Sequence, residues 1–373
     1  MWGKICCQIL YPSFAFSKTG AMDMRGGGSW YFYIMLKIKL PNSYQDVISV
    51  ENLLKAWEEF LPGKKNKEDV SEFSKNLMEN ILDLHNDLAS KSYKHSGYKA
   101  FNISDPKPRN IHKASVRDRL LHRAVYRILY PLFDKTFLSE SYSCRINKGT
   151  HKAVNKFRKF AWRESKNHHK TIWVLKCDIK KFFASVDQTI LLGVLENYIS
   201  DKDIIWLLSR IIESFHSTQT RVGLPLGNLT SQLLVNIYMN QFDQWIKHKI
   251  KVTCYVRYAD DFVILHQEKD YLLELIPKIA DFLDEHLKLQ PHPDKVFVKT
   301  LASGVDFLGW THFPNHRVLR TSTKKRVLKA LDESENINSL VSYGGLLKHG
   351  NQYLLKRKID EKIKILKKQE LRK

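Results

Sequence analysis

Cysteine is scarce in this chain, and its few copies are not arranged as metal ligands or as a redox pair. The 373 residues include five cysteines, with no Cys-x-x-Cys and no histidines at zinc-finger spacing. Cys177 and Cys254 lie inside apolar runs, where a buried free thiol is the ordinary expectation. The sequence gives no support for a zinc finger or a disulfide-stapled domain, and it predicts a reduced, cytoplasmic protein.

Long hydrophobic runs are missing as well. No apolar stretch reaches the length that is needed to cross a bilayer. The segment 30–35 is apolar but short, and lysines follow it. The sequence therefore predicts no membrane-spanning segment, and a membrane is not the partner that we expect.

Acidic residues are few relative to basic ones. The chain has 39 Asp and Glu against 61 Lys and Arg, which gives a formal net charge of +22. Such a field attracts polyanions, so nucleic acid is the first candidate partner and an anionic membrane surface the second. Hydrophobic residues at 43% indicate a folded chain with a large core. Because the chain is so basic, the few segments in which acidic residues cluster are informative about function.

Two adjacent carboxylates, Asp260 and Asp261, interrupt an apolar segment. The flanking residues 252–258 and 262–266 are rich in apolar and β-branched side chains, which predicts a β-hairpin. The tip does not match the favoured turn sequences, and neighbouring like charges repel. A rigid carboxylate pair suits a divalent cation, which prefers hard oxygen ligands. For a lone pair, a solvated acidic turn is the ordinary alternative.

A third carboxylate, Asp178, ends the continuous apolar run 171–177, which predicts a buried central strand. A buried acid is costly unless something compensates its charge. If this strand neighbours the hairpin, Asp178, Asp260 and Asp261 converge. Two metal ions about 3.5–4 Å apart could then activate a 3′-hydroxyl and stabilise a leaving pyrophosphate. The residues themselves predict a metal-dependent nucleotidyl transferase that acts on nucleic acid.

Other segments could hold the nucleotide. The proline-containing stretch 105–111 is extended and carries Lys107 and Arg109, which could bind a triphosphate. The loop 223–232 contains glycines and runs into a helix, which allows close approach to a sugar or phosphate. Arginines also project from the helix that Ser115 should cap, where phosphate contact competes with a solvated basic face. They are Arg117, Arg119 and Arg123.

The ordered motifs resemble the seven-motif fingers and palm of reverse transcriptases, over roughly Ser49 to Trp310. The resemblance rests on the Tyr258–Asp261 box, on Asp178 with Phe182-Phe183, and on Asp306–Trp310. It implies an α+β right-hand polymerase with fingers, a palm of antiparallel sheet plus helices, and a small helical thumb.

The same resemblance divides the chain into regions. They are an N-terminal extension over 1–40, fingers and N-terminal helices over 41–165, a palm over 166–310 with finger–palm helices over 187–222, and a basic thumb over 311–373. Within the thumb we expect helices that are interrupted at Gly344-Gly345.

Family membership would also give individual residues their roles. The catalytic residues would be Asp178, Asp260 and Asp261. The metal site, for two Mg²⁺ ions or substituting Mn²⁺, would be Asp178, Ile179 and Asp260. Nucleotide-binding residues would be Lys107, Arg109, Phe183, Leu226, Gly227 and Lys295. Among these, Phe183 resembles the steric gate against a ribose 2′-hydroxyl, and Lys295 the lysine near the pyrophosphate. The primer grip would be Phe307, Leu308, Gly309 and Trp310.

One departure from the motif of group II intron-type enzymes indicates which subfamily of reverse transcriptases the chain resembles. Group II intron-type enzymes have Gln-Gly-x-x-x-Ser-Pro before the palm helix, whereas this chain has a leucine and a glutamine at the first and last positions, in Leu226–Gln232. The change resembles the reverse transcriptases of diversity-generating retroelements, as do Ser141-Tyr142, Arg145 and Gly149. These bacterial, archaeal or phage systems copy a template-repeat RNA into cDNA, with errors at template adenines, for mutagenic retrohoming.

The subfamily resemblance implies partners and leaves alternatives. The partners are the template RNA, the DNA or cDNA primer strand, dNTPs and a small oligomeric accessory protein. A defence-associated, CRISPR-associated or group II intron-like enzyme with another RNA template stays open, and gene context would discriminate it. An inactive nucleic-acid-binding scaffold is the non-enzyme alternative, against which the three retained carboxylates argue.

Overall fold

The computed structural model describes residues 39–104, 108–333 and 336–370. Almost all of the predicted extension over 1–40 lies outside the described residues, as does Lys107. Leu40 already belongs to the main core, and its N–H donates to the Tyr198 carbonyl at 3.1 Å. No helix within the described part is long and apolar enough to cross a membrane.

Amphipathic helices open the described chain. They are α1 (Tyr44–Ile48), α2 (Val50–Phe60), α3 (Glu68–Lys75) and α4 (Leu77–Ala89). Ser43 and Ser49 accept hydrogen bonds from backbone amides at the starts of α1 and α2, as capping serines do. Their apolar faces form one core with α5 (Val116–Thr136).

A hairpin of β1 (Lys99–Ile103) and β2 (Arg109–Lys113) precedes α5, and α6 (Thr150–Glu164) follows it. Ser115 caps α5 as predicted. The three arginines expected to project from α5 instead pair with acids of the preceding helices. The pairs are Arg117 with Asp87, Arg119 with Asp69, and Arg123 with Glu59. Their charge is balanced within the fold, which weakens the prediction that they contact phosphate.

The central sheet has the strand order β4–β5–β3–β6, and every neighbouring pair is antiparallel. Its strands are β3 (Trp173–Asp178), β4 (Tyr255–Tyr258), β5 (Asp261–His266) and β6 (Phe297–Thr300). The intervening helices are α7 (Phe182–Ser185), α8 (Gln188–Glu196), α9 (Lys202–Ile212), α10 (Leu229–Gln244) and α11 (Lys269–Leu287).

Both faces of this sheet are covered, which explains why its strands read as continuous apolar runs. Leu175 and Phe262 face the core that contains α10 and α11. Val174 and Val263 face a second core with Phe157 of α6. The predicted neighbourhood of the Asp178 strand and the carboxylate hairpin is confirmed by the pairing of β3 with β5.

The C-terminal part combines a small sheet with helices. Its elements are β7 (Val305–Phe307), β8 (Trp310–His312), β9 (Arg317–Leu319), α12 (Thr321–Glu333), α13 (Ile337–Leu347) and α14 (Tyr353–Glu370). The interruption expected at Gly344-Gly345 is wrong, because α13 runs through both glycines. A Cβ on Gly344 would lie 3.7 Å from Ile359 Cγ2. This is an ordinary van der Waals distance, so the packing of α13 against α14 has room for a Cβ at this position.

Candidate functional site

The three predicted carboxylates lie together at one end of the central strands. Asp178 of β3 is the direct cross-strand partner of Asp261 of β5. Such partners in an antiparallel pair project to the same face, with Cβ atoms about 4.5–5.5 Å apart. Asp260 directly precedes Asp261 in the turn after β4. Like charges placed opposite each other destabilise a sheet, so this arrangement calls for compensation by cations.

The pKa values of Asp260 and Asp261 reflect this uncompensated negative charge. Burial, followed by the charge of Asp178, raises the pKa of Asp260. Burial also raises the pKa of Asp261 to about 7, against the lowering effect of Lys176. Oδ1 of Asp261 is buried and has no hydrogen-bond partner within the described ranges. A bound cation would favour the charged form of Asp260 and of Asp261.

Two lysines contact this carboxylate cluster, which is defined as Asp178, Asp260 and Asp261. Lys176 Nζ lies 3.3 Å from Asp261 Oδ2, and Lys295 Nζ lies 3.0 Å from Asp178 Oδ1. The side chain of Lys295 is 41% exposed. An exposed ammonium group can exchange one anionic partner for another at low cost, so the pair with Asp178 does not fix Lys295 in place.

The donor chemistry of the cluster fits Mg²⁺, although the carboxylates do not form a closed cage. Among the described residues, no group of three or more His, Cys, Asp and Glu side chains is placed to hold a metal ion. Mg²⁺ in nucleotide-handling sites is commonly bound by one or two carboxylates, with the remaining ligands from phosphates and water. Asp178 and Asp260 can supply such oxygens. The side chain of Ile179 is apolar and buried, so only its carbonyl oxygen could contribute.

The loop that carries Leu226 and Gly227 is tied to strand β2. The His112 N–H donates to the Leu226 carbonyl at 3.0 Å, and Asn228 Nδ2 donates to the His112 carbonyl at 2.9 Å. Arg109 begins the same strand, and its charge acts to lower the pKa of Asp260. Arg109 is thus near enough to act on the charge of Asp260, and the loop of Leu226 and Gly227 is hydrogen-bonded to the strand that Arg109 begins.

The two phenylalanines after Asp178 differ in their surroundings. Phe182 is 3% exposed and belongs to the main core, whereas Phe183 is half-buried. Their rings meet edge to face at 5.6 Å. The Phe183 carbonyl accepts the Leu224 N–H at 2.7 Å, which joins α7 to the Leu226 loop. Phe183 is therefore the one with surface left to meet a nucleotide.

The predicted primer grip contains two buried side chains. Phe307 and Trp310 are each 1% exposed, and Trp310 packs among the C-terminal helices. Leu308 and Gly309 form the turn between β7 and β8, with φ of 50° and 84°. Positive φ at both positions is typical of a tight hairpin turn. Leu308 and Gly309 are half-buried, so of the four residues the two in the turn have accessible surface, and the primer grip stays a prediction.

Sequence reasoning missed three residues that shape the site. Asn228 was passed over within a loop that was itself recognised. Arg257 and Asp243 form an ion pair in which both side chains are 0% exposed. The available signals were an arginine inside an apolar strand and an aspartate on a helix, Leu229–Gln244, that carries no other charged residue.

We predict that Gly227→Ala weakens nucleotide binding. Gly227 has φ of +108°, and a Cβ there would lie 2.8 Å from Ile111 Cγ2. Strain of about 1–3 kcal/mol would separate the loop from β2, and roughly 1.4 kcal/mol corresponds to a tenfold effect. We expect the KM for dNTPs to rise about tenfold, as measured by extension rates across a dNTP titration.

The matched control is Gly97→Ala. A Cβ on Gly97 would meet nothing within 4 Å, and its φ is not positive. This variant should keep the wild-type KM. A wild-type KM for Gly227→Ala would contradict the assignment of this loop to the nucleotide.

Comparison with known proteins defines the class. The family model described as reverse transcriptase (RNA-dependent DNA polymerase) matches residues 99–312. This match covers more than half of the chain, which therefore belongs to the reverse transcriptase family. The predicted α+β right-hand polymerase fold and the class of enzyme, an RNA-directed DNA polymerase, are confirmed.

The individual proteins that this chain resembles share low sequence identity with it. Protein YkfC of Escherichia coli K12 is 25% identical over 286 residues, which is 65% of this chain and 72% of YkfC. The group II intron-encoded protein LtrA of Lactococcus lactis is 23% identical over 277 residues, 56% of this chain and 44% of LtrA. A putative COX1/OXI3 intron 1 protein of Saccharomyces cerevisiae is 27% identical over 177 residues. The chain spans less than half the length of the latter two proteins.

Proposed function

We propose that this reverse transcriptase copies a template-repeat RNA into cDNA with frequent errors at template adenines, for mutagenic retrohoming in a diversity-generating retroelement. The observation that carries the proposal is the half-buried Leu226 in the loop that follows Pro225, whose backbone carbonyl accepts the His112 N–H of strand β2. Leucine stands where group II intron-type enzymes have a glutamine. Arg145 and Gly149, which also suggested this subfamily, shape the loop before α6, where Arg145 donates to the Leu138 and Ser141 carbonyls.

In this proposal each residue of the site has its own role in nucleotide addition. Asp178 and Asp260 hold Mg²⁺, with the Ile179 carbonyl as a further ligand and Asp261 as a supporting charge. When bound, Mg²⁺ lowers the pKa of the primer 3′-hydroxyl and neutralises charge on the leaving pyrophosphate.

The remaining assignments concern the substrates. Arg109 and Lys107 bind the triphosphate, and Lys295 moves from Asp178 to the pyrophosphate. The Phe183 ring lies against the sugar and excludes a 2′-hydroxyl. The turn of Leu308 and Gly309 supports the primer strand. Each group thus orients a reactant, which is the main protein contribution in phosphoryl transfer.

A physical cause of low fidelity follows from Leu226. A leucine side chain cannot donate or accept a hydrogen bond with the incoming nucleotide, so mismatched and matched nucleotides differ less in binding free energy. We predict that Leu226→Gln reduces misincorporation opposite template adenine about three- to tenfold, since one hydrogen bond contributes about 0.5–1.5 kcal/mol.

Sequencing of the cDNA measures this change, and Leu226→Met is the control. Methionine preserves the size and apolar character of the side chain, so its error spectrum should match the wild type. An unchanged spectrum for Leu226→Gln would remove Leu226 as the cause of infidelity.

The proposal as a whole is tested by primer extension on an RNA template with Mg²⁺ and all four dNTPs, followed by cDNA sequencing. Errors concentrated opposite adenine would support the diversity-generating assignment. Accurate cDNA would contradict it and favour a group II intron-like enzyme, the alternative that the similarity to LtrA supports. The assay should be run with and without a small accessory protein of the kind that the diversity-generating assignment implies.

RNA affinity should fall steeply with salt. With a net charge of +22, the chain is expected to displace several counterions from the RNA, and about 6–10 phosphate contacts cost roughly 10³–10⁵ in affinity between about 50 and 200 mM salt. Filter binding across a salt series measures the slope. A flat response would contradict binding through the basic surface.

A further inference from the structure

A fully buried ion pair contacts the turn that carries Asp260. Arg257 of β4 donates from Nε to Asp243 Oδ1 at 2.7 Å and from Nη2 to Asp243 Oδ2 at 2.6 Å. Neither side chain is exposed to solvent. A buried ion pair contributes little net stability compared with apolar residues of similar size. Its presence inside an apolar strand therefore points to another purpose.

The guanidinium group of Arg257 reaches the turn that carries Asp260. Its Nη1 donates to the Ala259 carbonyl at 2.9 Å. Ala259 has φ of +57°, a left-handed conformation that is unfavourable for a residue with a Cβ. The carbonyl held by Arg257 belongs to the peptide group that links Ala259 to Asp260. The hydrogen bond therefore fixes the orientation of that peptide despite the strain.

Arg257 is itself held from several directions. Its Nη2 also donates to Ser141 Oγ at 3.0 Å, and the Tyr255 hydroxyl donates to Asp243 Oδ1 at 2.6 Å. The segment before α6 pairs with the backbone of Arg257, since Tyr142 N–H donates to the Arg257 carbonyl at 3.0 Å. The position of the guanidinium is thus set by α10, by β4 and by the segment around Ser141.

We propose that Arg257 and Asp243 are positioning residues, which hold the Ala259–Asp260 turn in the conformation that places Asp260 beside Asp178. Without the guanidinium, the turn relaxes toward ordinary backbone angles and the Asp260 carboxylate moves. This inference rests on the metal-binding role assigned to Asp260 under the proposed function. A displacement of about 1 Å at a reacting centre can cost about 100-fold in rate.

The decisive variant is the double substitution Arg257→Met with Asp243→Asn. Removing one charge alone would leave the other buried and unpaired, whereas removing both preserves folding far better. Asparagine still accepts the Tyr255 hydrogen bond. Thermal melting verifies folding, electron paramagnetic resonance of Mn²⁺ measures metal affinity without turnover, and primer extension measures rate.

We expect the folded double variant to bind Mn²⁺ at least about tenfold more weakly and to extend primers about 100-fold more slowly than the wild type, with RNA affinity unchanged. Wild-type Mn²⁺ affinity in the folded double variant would overturn the proposal, because the pair would then serve stability alone.

Ser141→Ala is a milder second variant in case the double variant does not fold. It removes one hydrogen bond to Arg257, and we expect Mn²⁺ affinity to fall about threefold. Arg127→Met is its control, since Arg127 holds Asn52 and Glu59 in the helical core, and it should keep wild-type Mn²⁺ affinity. Equal affinities for Ser141→Ala and the wild type would overturn the positioning role.

Asp260→Asn distinguishes the metal-binding role of Asp260 from the positioning role of Arg257 and Asp243. Loss of Mn²⁺ binding in this variant is expected and would establish the metal role on which the inference depends. If Asp260→Asn bound Mn²⁺ as the wild type does, the metal assignment itself would fall, and the inference with it.

Discussion

Asp260→Asn should reduce RNA-templated primer extension by about three orders of magnitude or more while leaving RNA affinity unchanged. Asparagine keeps the shape of the side chain but removes the charge that balances a metal ion. Metal ions supply several kcal/mol of transition-state stabilisation, and each 1.4 kcal/mol or so is a factor of about ten in rate. Extension rates from a labelled primer, with RNA binding measured in parallel, test this expectation.

The control for this prediction is Asp281→Asn, the same change of charge at an exposed position of α11. It should extend primers at the wild-type rate, which separates the site-specific effect from a change in net charge. Wild-type extension by Asp260→Asn would contradict the catalytic assignment. An inactive wild type that still binds RNA would favour the scaffold alternative.

Phe183→Ala should let the enzyme incorporate ribonucleotides. The half-buried ring is proposed to occupy the space that a 2′-hydroxyl would need, and its removal leaves that space open. Steric exclusion by an apolar pocket provides about 100-fold discrimination against an added hydroxyl. The ratio of kcat/KM for rNTP and dNTP should therefore rise about 100-fold, as measured by single-nucleotide addition.

The neighbouring Phe182 offers a matched control. It is buried in the main core, so Phe182→Leu should lower the melting temperature but leave sugar selectivity unchanged. If both variants changed selectivity equally, general loosening of α7 would explain the result. If Phe183→Ala kept wild-type selectivity, the steric-gate assignment would be wrong.

The convergence of the carboxylates was predictable because each interrupts or ends an apolar run. Such runs are typical of buried strands, and an acid at the end of a buried strand is costly unless its charge is compensated. The pairing of Asp178 with Asp261 agrees with that reasoning. The actual register could not be derived, because it depends on the packing of both sheet faces against helices that are distant in sequence.

Supporting contacts escaped prediction for a related reason. Arg257 and Asp243 belong to different elements. The sequence around an isolated arginine in a strand does not show which acidic residue pairs with it. Arg117, Arg119 and Arg123 were expected on a basic face, yet their acids lie on other helices. Trp310 was expected at the primer, but its burial by the C-terminal helices is a tertiary feature. Local sequence patterns indicate which side chains are reactive and which are buried. Which residues of different elements pair with each other is seen only in the folded structure.

We propose above all that Asp178 and Asp260 hold the catalytic metal ions of this reverse transcriptase. Anomalous diffraction from Mn²⁺ in crystals of the protein with primer–template duplex and an unreactive dNTP analogue measures it most directly. We expect two peaks about 3.5–4 Å apart, both in contact with carboxylate oxygens of Asp178 and Asp260. Peaks located elsewhere, or metal bound by the triphosphate without either aspartate, would contradict the account.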